Sequence, residues 1–393
     1  MNARVAVVLV FLAAVVAIVF FSTRGGGGDA GGTSTGPAPK GPAADAVEVT
    51  MLYSTEKKDW IEAAATQFQA EHSDIKLTLR GMGSLQSAEA ILDGREKPVL
   101  WSPADSLILN LLLSDWDARY HTTLVDMVGQ DKPNPLLITP LVFVAWEDRA
   151  DVLLKAGGGA ITWKGIEKAV ASNQGWPAIG GKAEWGFVKL GHTDPTQSNS
   201  GLQALLLMTM EYYGRSTGLT VADVLNADYQ AFVAGIEKGV AKFEPSTGTF
   251  MTDMVRFGPS KYDIAAVYEG VAISQIENAQ GRWGNMKVYY PSTTIWSDHP
   301  AALLQGDWVS DAQKAAARTW LAYLQTPAVQ QKALSMGFRP ASPQVPLQSS
   351  DPSNPFVRYA SYGVKVEIPP VATPPDGTVI RNLLTMWSRV VKP

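Results

Sequence analysis

A chain of 393 residues with 46% hydrophobic and 18% charged side chains can bury more than one core, which excludes wholesale disorder and a polytopic membrane protein. Its formal charge of −4, without any long Lys/Arg block, argues against nucleic acid or an anionic membrane surface as the principal partner. The absence of Cys removes disulfide frameworks, thiolate metal sites, cysteine nucleophiles and a lipid-attachment cysteine together.

Residues 5–21 form an unbroken apolar run behind Met1-Asn2-Ala3-Arg4, of signal-peptide or short spanning-helix length. No small-x-small cleavage site follows Phe21, so residues 1–24 read as an uncleaved signal anchor in preference to a cleaved signal peptide. Residues 25–46 open on a run of glycines and continue in Ser, Thr, Pro and Ala, the composition of a flexible tether.

Folded structure is expected from Val47. Val47, Val49 and Met51 alternate with polar residues as in a strand, and Ser54 and Thr55 follow as candidate helix caps. Trp60, Ile61, Ala64, Ala65 and Phe68 then recur at helical spacing as far as Glu71. The alternation returns at Ile75, Leu77 and Leu79, after which Gly81-Met82-Gly83 turns the chain and Ser84 caps a helix stopped by Gly94. A third unit joins a buried strand at residues 98–101 to Ser102-Pro103-Ala104-Asp105, which reads as a capping box. Three strand-to-helix units in succession predict a parallel sheet. Such sheets bind ligands at the carboxyl ends of their strands, so Ser54, Thr55, Ser84 and Ser102 are expected to face one crevice.

The apolar strand at residues 136–146 is expected to cross into a second lobe. That lobe should hold a helix at 163–172, a strand at 185–190, a helix from Ser198 and a strand at 263–268, with the return crossing at 286–291. A helix at 310–324 opens on a Ser310…Gln313 capping box, a second runs from Thr326-Pro327 to Gly337, and a Pro-rich tail leads to a last helix at 378–391.

Three stretches carry a family resemblance. Gly191-His192-Thr193-Asp194-Pro195-Thr196-Gln197-Ser198-Asn199-Ser200-Gly201-Leu202 is similar to the strand-loop-helix element by which bacterial extracellular solute-binding proteins of the type II periplasmic-binding fold offer hydroxyls and backbone N–H groups to a ligand. Thr326-Pro327-Ala328-Val329-Gln330-Gln331, closing on Gly337-Phe338-Arg339-Pro340, resembles that family's late helix. Asp263-Ile264-Ala265-Ala266-Val267-Tyr268-Glu269-Gly270 resembles the strand and turn before its return crossing, and brings Tyr268 and Glu269 into the expected ligand set. The subgroup most resembled is one whose relatives can carry a von Willebrand factor A domain.

The resemblance implies a two-lobed α/β fold, each lobe a mostly parallel sheet flanked by helices, after one N-terminal transmembrane or signal helix. The expected division is 47–140 with 291–393 as lobe 1 and 141–290 as lobe 2, hinged near Pro140 and Tyr289. The implied function is extracytoplasmic binding of a small solute between the lobes, for delivery to an ABC-type transporter permease or a receptor, without catalysis or cofactor. Thr196, Ser198, Asn199 and Ser200 lie where a helix start presents free N–H groups to anions. Trp101 and Trp146 are candidates to stack on a ligand. His72, His121, His192 and His299 are too dispersed for a helical two-histidine metal motif, and no nucleophile elbow, Walker A or dinucleotide fingerprint occurs. Two alternatives stay open: a surface protein-interaction module on the same fold, and an extracytoplasmic hydrolase using Asp194 and Glu269.

Overall fold

The computed structural model describes residues 43–392. The expected N-terminal helix at residues 5–21, and the linker as far as residue 42, lie outside the described residues. Among the described residues no helix is long and apolar enough to cross a membrane.

The first three strand-to-helix units form as their periodicity predicts. Strand β1 (Val47–Tyr53) leads through a single 3-10 turn into helix α1 (Lys58–Glu71), β2 (Ile75–Gly81) into α2 (Ser84–Leu92), and β3 (Leu100–Ser102) into α3 (Ser106–Tyr120). β1 runs parallel to both β2 and β3. Val49, Met51 and Tyr53 point to one face and join Trp60, Ile61 and Phe68 of α1 in one core, while Leu52 and Trp101 point into a second core. Both faces of this sheet are thus covered, as parallel sheets require.

Strand β4 (Asn134–Pro135) stays in the first sheet, whereas β5 (Leu137–Trp146) is the centre of a second one. Around β5 lie helices α4 (Glu147–Ala156) and α5 (Trp163–Val170), strand β6 (Leu190–Gly191), and helices α6 (Asn199–Tyr213), α7 (Val221–Leu225), α8 (Ala227–Glu237) and α9 (Thr247–Phe257). Strand β7 (Ile264–Tyr268), helix α10 (Glu269–Ala279) and strand β8 (Met286–Tyr289) follow. α6 is apolar almost all round and buried from Asn199 to Met210, the mark of a helix passing through a core.

The second sheet differs from the expected mostly parallel one. β6 and β7 are parallel, but β5 is antiparallel to both β7 and β8 along the same residues. β7, α10 and β8 therefore make a crossover unit into which β5 is inserted in the opposite sense. The strand expected at 185–190 shrinks to Leu190–Gly191, because Asp263 takes the Lys189 N–H and residues Ala183–Trp185 wind into a 3-10 turn.

Strand β9 (Trp296–Ser297) still pairs with β5, and β10 (Pro300–Leu303) lies antiparallel to β3 in the first sheet. The passages between sheets are consequently at residues 135–137 and 297–300. The return passage comes later than the expected 286–291, since β8 and β9 both remain on β5. The two passages are tied by Leu136 N–H donating to His299 O at 3.1 Å. His299 holds a left-handed φ of 42°, uncommon for a residue with a side chain.

Helices α11 (Asp311–Leu324) and α12 (Pro327–Ser335) return to the first sheet, and the Ser310…Gln313 capping box is formed in both directions. Strand β11 (Arg339–Pro340) joins β5. After a short helix α13 (Pro355–Arg358), the amphipathic α14 (Gly377–Val391) ends the described chain. α14 packs mainly on α7 and α8. The grouping of all of 291–393 with the first sheet therefore does not hold for its last helix, whose apolar stripe matches α7 and α8 of the second half.

The anchor of α14 is polar. Trp387 Nε1–H donates to Glu237 Oε1 at 2.6 Å, and Glu237 Oε2 lies 2.7 Å from His192 Nε2. Burial opposes the His192 charge, but Glu237 outweighs it and holds the pKa above its ordinary value. His192 therefore contributes stability in acid that fades as pH rises through this raised pKa. Glu237→Ala leaves both donors buried without an acceptor, and should cost about 3 kcal/mol or more in urea unfolding, with a red shift of Trp387 emission. An unchanged unfolding midpoint would mean that α14 is held by its apolar stripe alone.

Candidate functional site

The carboxyl ends of β1 and β3 are joined by a buried cation that the sequence reading passed over. Lys57 is 0% exposed. Its ammonium donates to Ser54 Oγ (2.7 Å), Ser102 O (2.8 Å), Ser102 Oγ (3.0 Å) and Pro103 O (3.2 Å). Ser54 Oγ–H in turn donates to Glu56 Oε1 at 2.5 Å. Ser84 Oγ accepts from Ala104 N–H at 3.0 Å. The expected hydroxyls Ser54, Ser84 and Ser102 do converge, but their hydrogen bonds are spent inside the protein. The expected capping box at Ser102 is absent: Asp105 is itself the cap of α3, with Oδ1 accepting from Leu107 N–H at 2.7 Å.

From the second half, α6 brings its first two turns against this layer. Gly201 lets the helix start pack on its own entry loop, since a Cβ there would stand 2.2 Å from Thr193 O. Ser200 Oγ lies 2.7 Å from both Thr193 Oγ1 and Thr247 Oγ1. Thr196 closes an Asx turn on Asp194 Oδ1, and Ser198 caps nothing with its side chain. Asn199 Nδ2 donates to Tyr268 OH (3.0 Å) and Ser297 Oγ (3.2 Å). Gln203 Nε2 donates to Asp105 Oδ2 (2.6 Å), Trp296 O (2.9 Å) and Ser297 Oγ (3.0 Å), which ties the two halves directly.

The result is a polar layer in the middle of the protein. Asn199 Oδ1, Gln203 Oε1 and both ring nitrogens of His299 are buried and lack a well-formed hydrogen bond. His299 Nδ1 lies 3.2 Å from Glu56 Oε1, and burial together with the Lys57 charge lowers its pKa against the opposing pull of Glu56. Burial pushes the Glu56 carboxyl up, yet His299, Lys57 and Ser54 hold it at about 2. Burial first, and then the charge of Asp298, raises Asp105 to about 7. Burial lowers Lys57 to about 8 despite Glu56 and Asp298.

Outward from Glu56 the layer opens into a cavity of about 550 Å³. One wall is Tyr53, Thr55, Glu56 and Arg80 of the first half. The other is Thr249 and Thr252 of α9 with Ser274 of α10. The halves come close beside it, because a Cβ on Gly83 would meet Gln197 O at 2.8 Å.

Other expected positions stand apart. Glu269 is buried in a bidentate ion pair, Arg339 Nε to Oε2 at 2.7 Å and Nη2 to Oε1 at 2.8 Å, with Tyr290 OH also donating to it. Its acceptors face the C-terminal wrap, so it is a strut and not a ligand group. Asp194 serves Thr196, Gln197 and Lys392, and shares no partner with Glu269. Trp101 and Trp146 are core residues whose indole N–H groups are taken by Ser87 Oγ and Tyr262 O. Of the residues missed, Ser297-Asp298-His299 carried a signal, three polar residues between Trp296 and Pro300. Glu56 and Lys57 carried none beyond an ordinary charged helix start. Among the described residues no group of His, Asp or Glu is arranged to hold a metal ion.

The family model for bacterial extracellular solute-binding proteins matches residues 49–339. The chain belongs to that family. It is thus a solute-binding protein whose folded part works outside the cytoplasm. Three solved structures share its fold. The sulfate-binding protein SubI of Mycobacterium tuberculosis is 16% identical with a TM-score of 0.50, over 88% of this chain and 98% of that one. The periplasmic binding protein AfuA of Actinobacillus pleuropneumoniae, solved with fructose-6-phosphate, is 14% identical with a TM-score of 0.55, over 88% and 98%. A substrate-binding protein of an ABC transporter from Agrobacterium tumefaciens is 13% identical with a TM-score of 0.53, over 89% and 97%. No curated protein sequence matches this solute-binding chain significantly.

Asp105 gives this layer a pH signature. Its folded pKa of about 7 lies above the unfolded ~3.9, so the stability of the neutral form is full below pH ~4 and is lost as pH rises toward 7. The gap amounts to at most ~4 kcal/mol. Asp105→Asn keeps a capping oxygen and cannot ionise. Urea unfolding between pH 4 and 7.5 should show a flatter stability profile for the variant than for the parent. Parallel profiles would show that Asp105 is ionised throughout.

Proposed function

We propose that the protein holds one small solute in the 550 Å³ cavity between its two sheets, closes on it, and presents it to an ABC-type permease. The observation that carries this reading is the cavity itself, whose walls come from β1, α1 and β2 on one side and α9 and α10 on the other. Its volume falls in the ordinary range for small-molecule sites of ~300–1,000 Å³. The known function of the fold neighbours points the same way: one binds sulfate and another was solved with a sugar phosphate. Of the expected ligand residues, Thr55 borders the cavity, and Tyr268, Asn199 and Ser200 stand in the layer behind it.

Closure needs a hinge, and the reading assigns it to the paired passages at 135–137 and 297–300. These are two short segments where the chain changes sheet, the usual location for domain rotation. We further propose that residues 5–21 anchor the protein in the membrane, with residues 25–46 as the tether. The run's length and the absent cleavage signal support this. Catalysis has no support in the carboxylates, since Asp194 and Glu269 are each committed to separate partners.

Thr249 is exposed on the cavity wall, so Thr249→Trp should fill the cavity without disturbing a core. A thermal-shift screen of sugars, oxyanions, amino acids and amines on the full chain should give at least one stabilising solute. At about a hundredfold over Kd the gain is ~2.7 kcal/mol. Thr249→Trp should abolish that shift, and small-angle scattering should show a smaller radius of gyration with the solute bound. A shift that survives Thr249→Trp would move the site elsewhere.

A further inference from the structure

The cavity and the layer behind it are rich in acceptors whose capacity is unfilled. Glu56 is buried, and its contacts with Ser54 and His299 both fall on Oε1, leaving Oε2 to the cavity it lines. Asp59 and Glu62 add two more carboxylates to the wall. Behind them, Gln203 Nε2 faces a carboxylate and a carbonyl, which fixes the amide orientation and leaves Oε1 as a buried acceptor without a donor. Asn199 Oδ1 is in the same condition beside it, on an amide that shares Ser297 Oγ.

Most of the cations nearby are already committed. Lys57 has four acceptors for three protons. Arg80 is paired with Glu96, while Lys58 lines the cavity with its side chain exposed. The start of α3, which would ordinarily welcome an anion, is occupied by the protein's own carboxylates. Asp105 caps α3 at Leu107 N–H, and Asp298 takes Ser106 N–H at 2.8 Å together with the Ser106 hydroxyl. An oxyanion entering the cavity would meet three carboxylates, Glu56, Asp59 and Glu62, against the single exposed ammonium of Lys58, since Arg80 is paired with Glu96.

We infer that the cleft selects a solute carrying a protonated amine, whose N–H donors meet the free oxygen of Glu56 and the acceptors around it. The inference rests on the cavity being the solute site, as proposed above. An ammonium brings several donors and a positive charge to a wall with more acids than available bases, and its N–H groups complement the carboxylates that line it. The charge of Glu56 is maintained at neutral pH, since its carboxyl is held at about 2.

The test compares 1,4-diaminobutane and glucosamine with glucose, sulfate and phosphate, by calorimetry on the full chain. One of the amines should bind in the micromolar range, and Glu56→Gln should weaken it at least tenfold. Because Glu56→Gln perturbs a buried layer, a second variant is needed. Ser274→Lys places an ammonium on the exposed cavity wall, and should abolish amine binding while leaving the melting temperature unchanged. Sulfate, phosphate or glucose binding that is lost in Thr249→Trp would overturn the amine assignment and leave the cavity reading intact. Binding of an amine that ignores both Glu56→Gln and Ser274→Lys would also overturn it. If none of the five probes binds and the broader screen is equally silent, the cavity reading fails first, and this inference with it.

Discussion

A fully buried lysine organises the centre of this protein. Lys57 could not be buried alone, because removing an ammonium from water costs several kcal/mol even after relaxation. Four oxygens from Ser54, Ser102 and Pro103 surround it, and they come from the ends of two adjacent strands. The lysine therefore fixes where β1 and β3 end relative to each other. Its charge also adds to the lowering of Glu56, behind the His299 contact, and to the lowering of His299, behind burial.

The frame of the fold was legible because it rests on local periodicity. Val49 and Met51 alternating, and Trp60, Ile61, Ala64, Ala65 and Phe68 at helical spacing, each specify an element and the face it buries. The Ser310…Gln313 box located its helix to the residue. What the sequence could not display was the sense of pairing in the second sheet. β5 is apolar along its length, and a buried strand reads the same whether its neighbours run parallel or antiparallel. The position of the return passage was hidden for a related reason, since Trp296 and Ser297 are too short a strand to announce that the chain is still on β5.

The site was half legible. Ser54 and Ser102, after two strand ends, share the Lys57 ammonium and Thr55 borders the cavity, yet most of these short polar residues are internal hydrogen-bonding partners. Hydroxyls at helix starts have two uses, and sequence cannot say which is taken. The decisive groups lie elsewhere. Gln203 sits one turn into an apolar helix, where a single polar residue reads as a surface position until the helix is seen to be buried on every side. Glu56 and Lys57 look like a solvated charge pair, and only the closing of β3 over them turns them inward. Long-range burial, not local pattern, decided their roles.

The chemistry of the interface between the halves bears on how such a protein can open. An apolar contact resists opening, because exposing it to water costs about 25 cal/mol for every Å². Part of the contact here is apolar, since Leu52, Trp101 and Ile108 of the first half lie in one core with residues of the second. The polar contact across it is Gln203 on Asp105, with Ser297 shared by Asn199 and Gln203 on the second side. Such bonds can be exchanged for bonds to water at a net cost of about 1 kcal/mol each. Opening would also hydrate Asn199 Oδ1 and Gln203 Oε1, which are buried without a donor, and so offset part of that cost. If the protein closes on its solute as proposed, these two acceptors favour the open arrangement until the solute's own contacts with both walls of the cavity outweigh them.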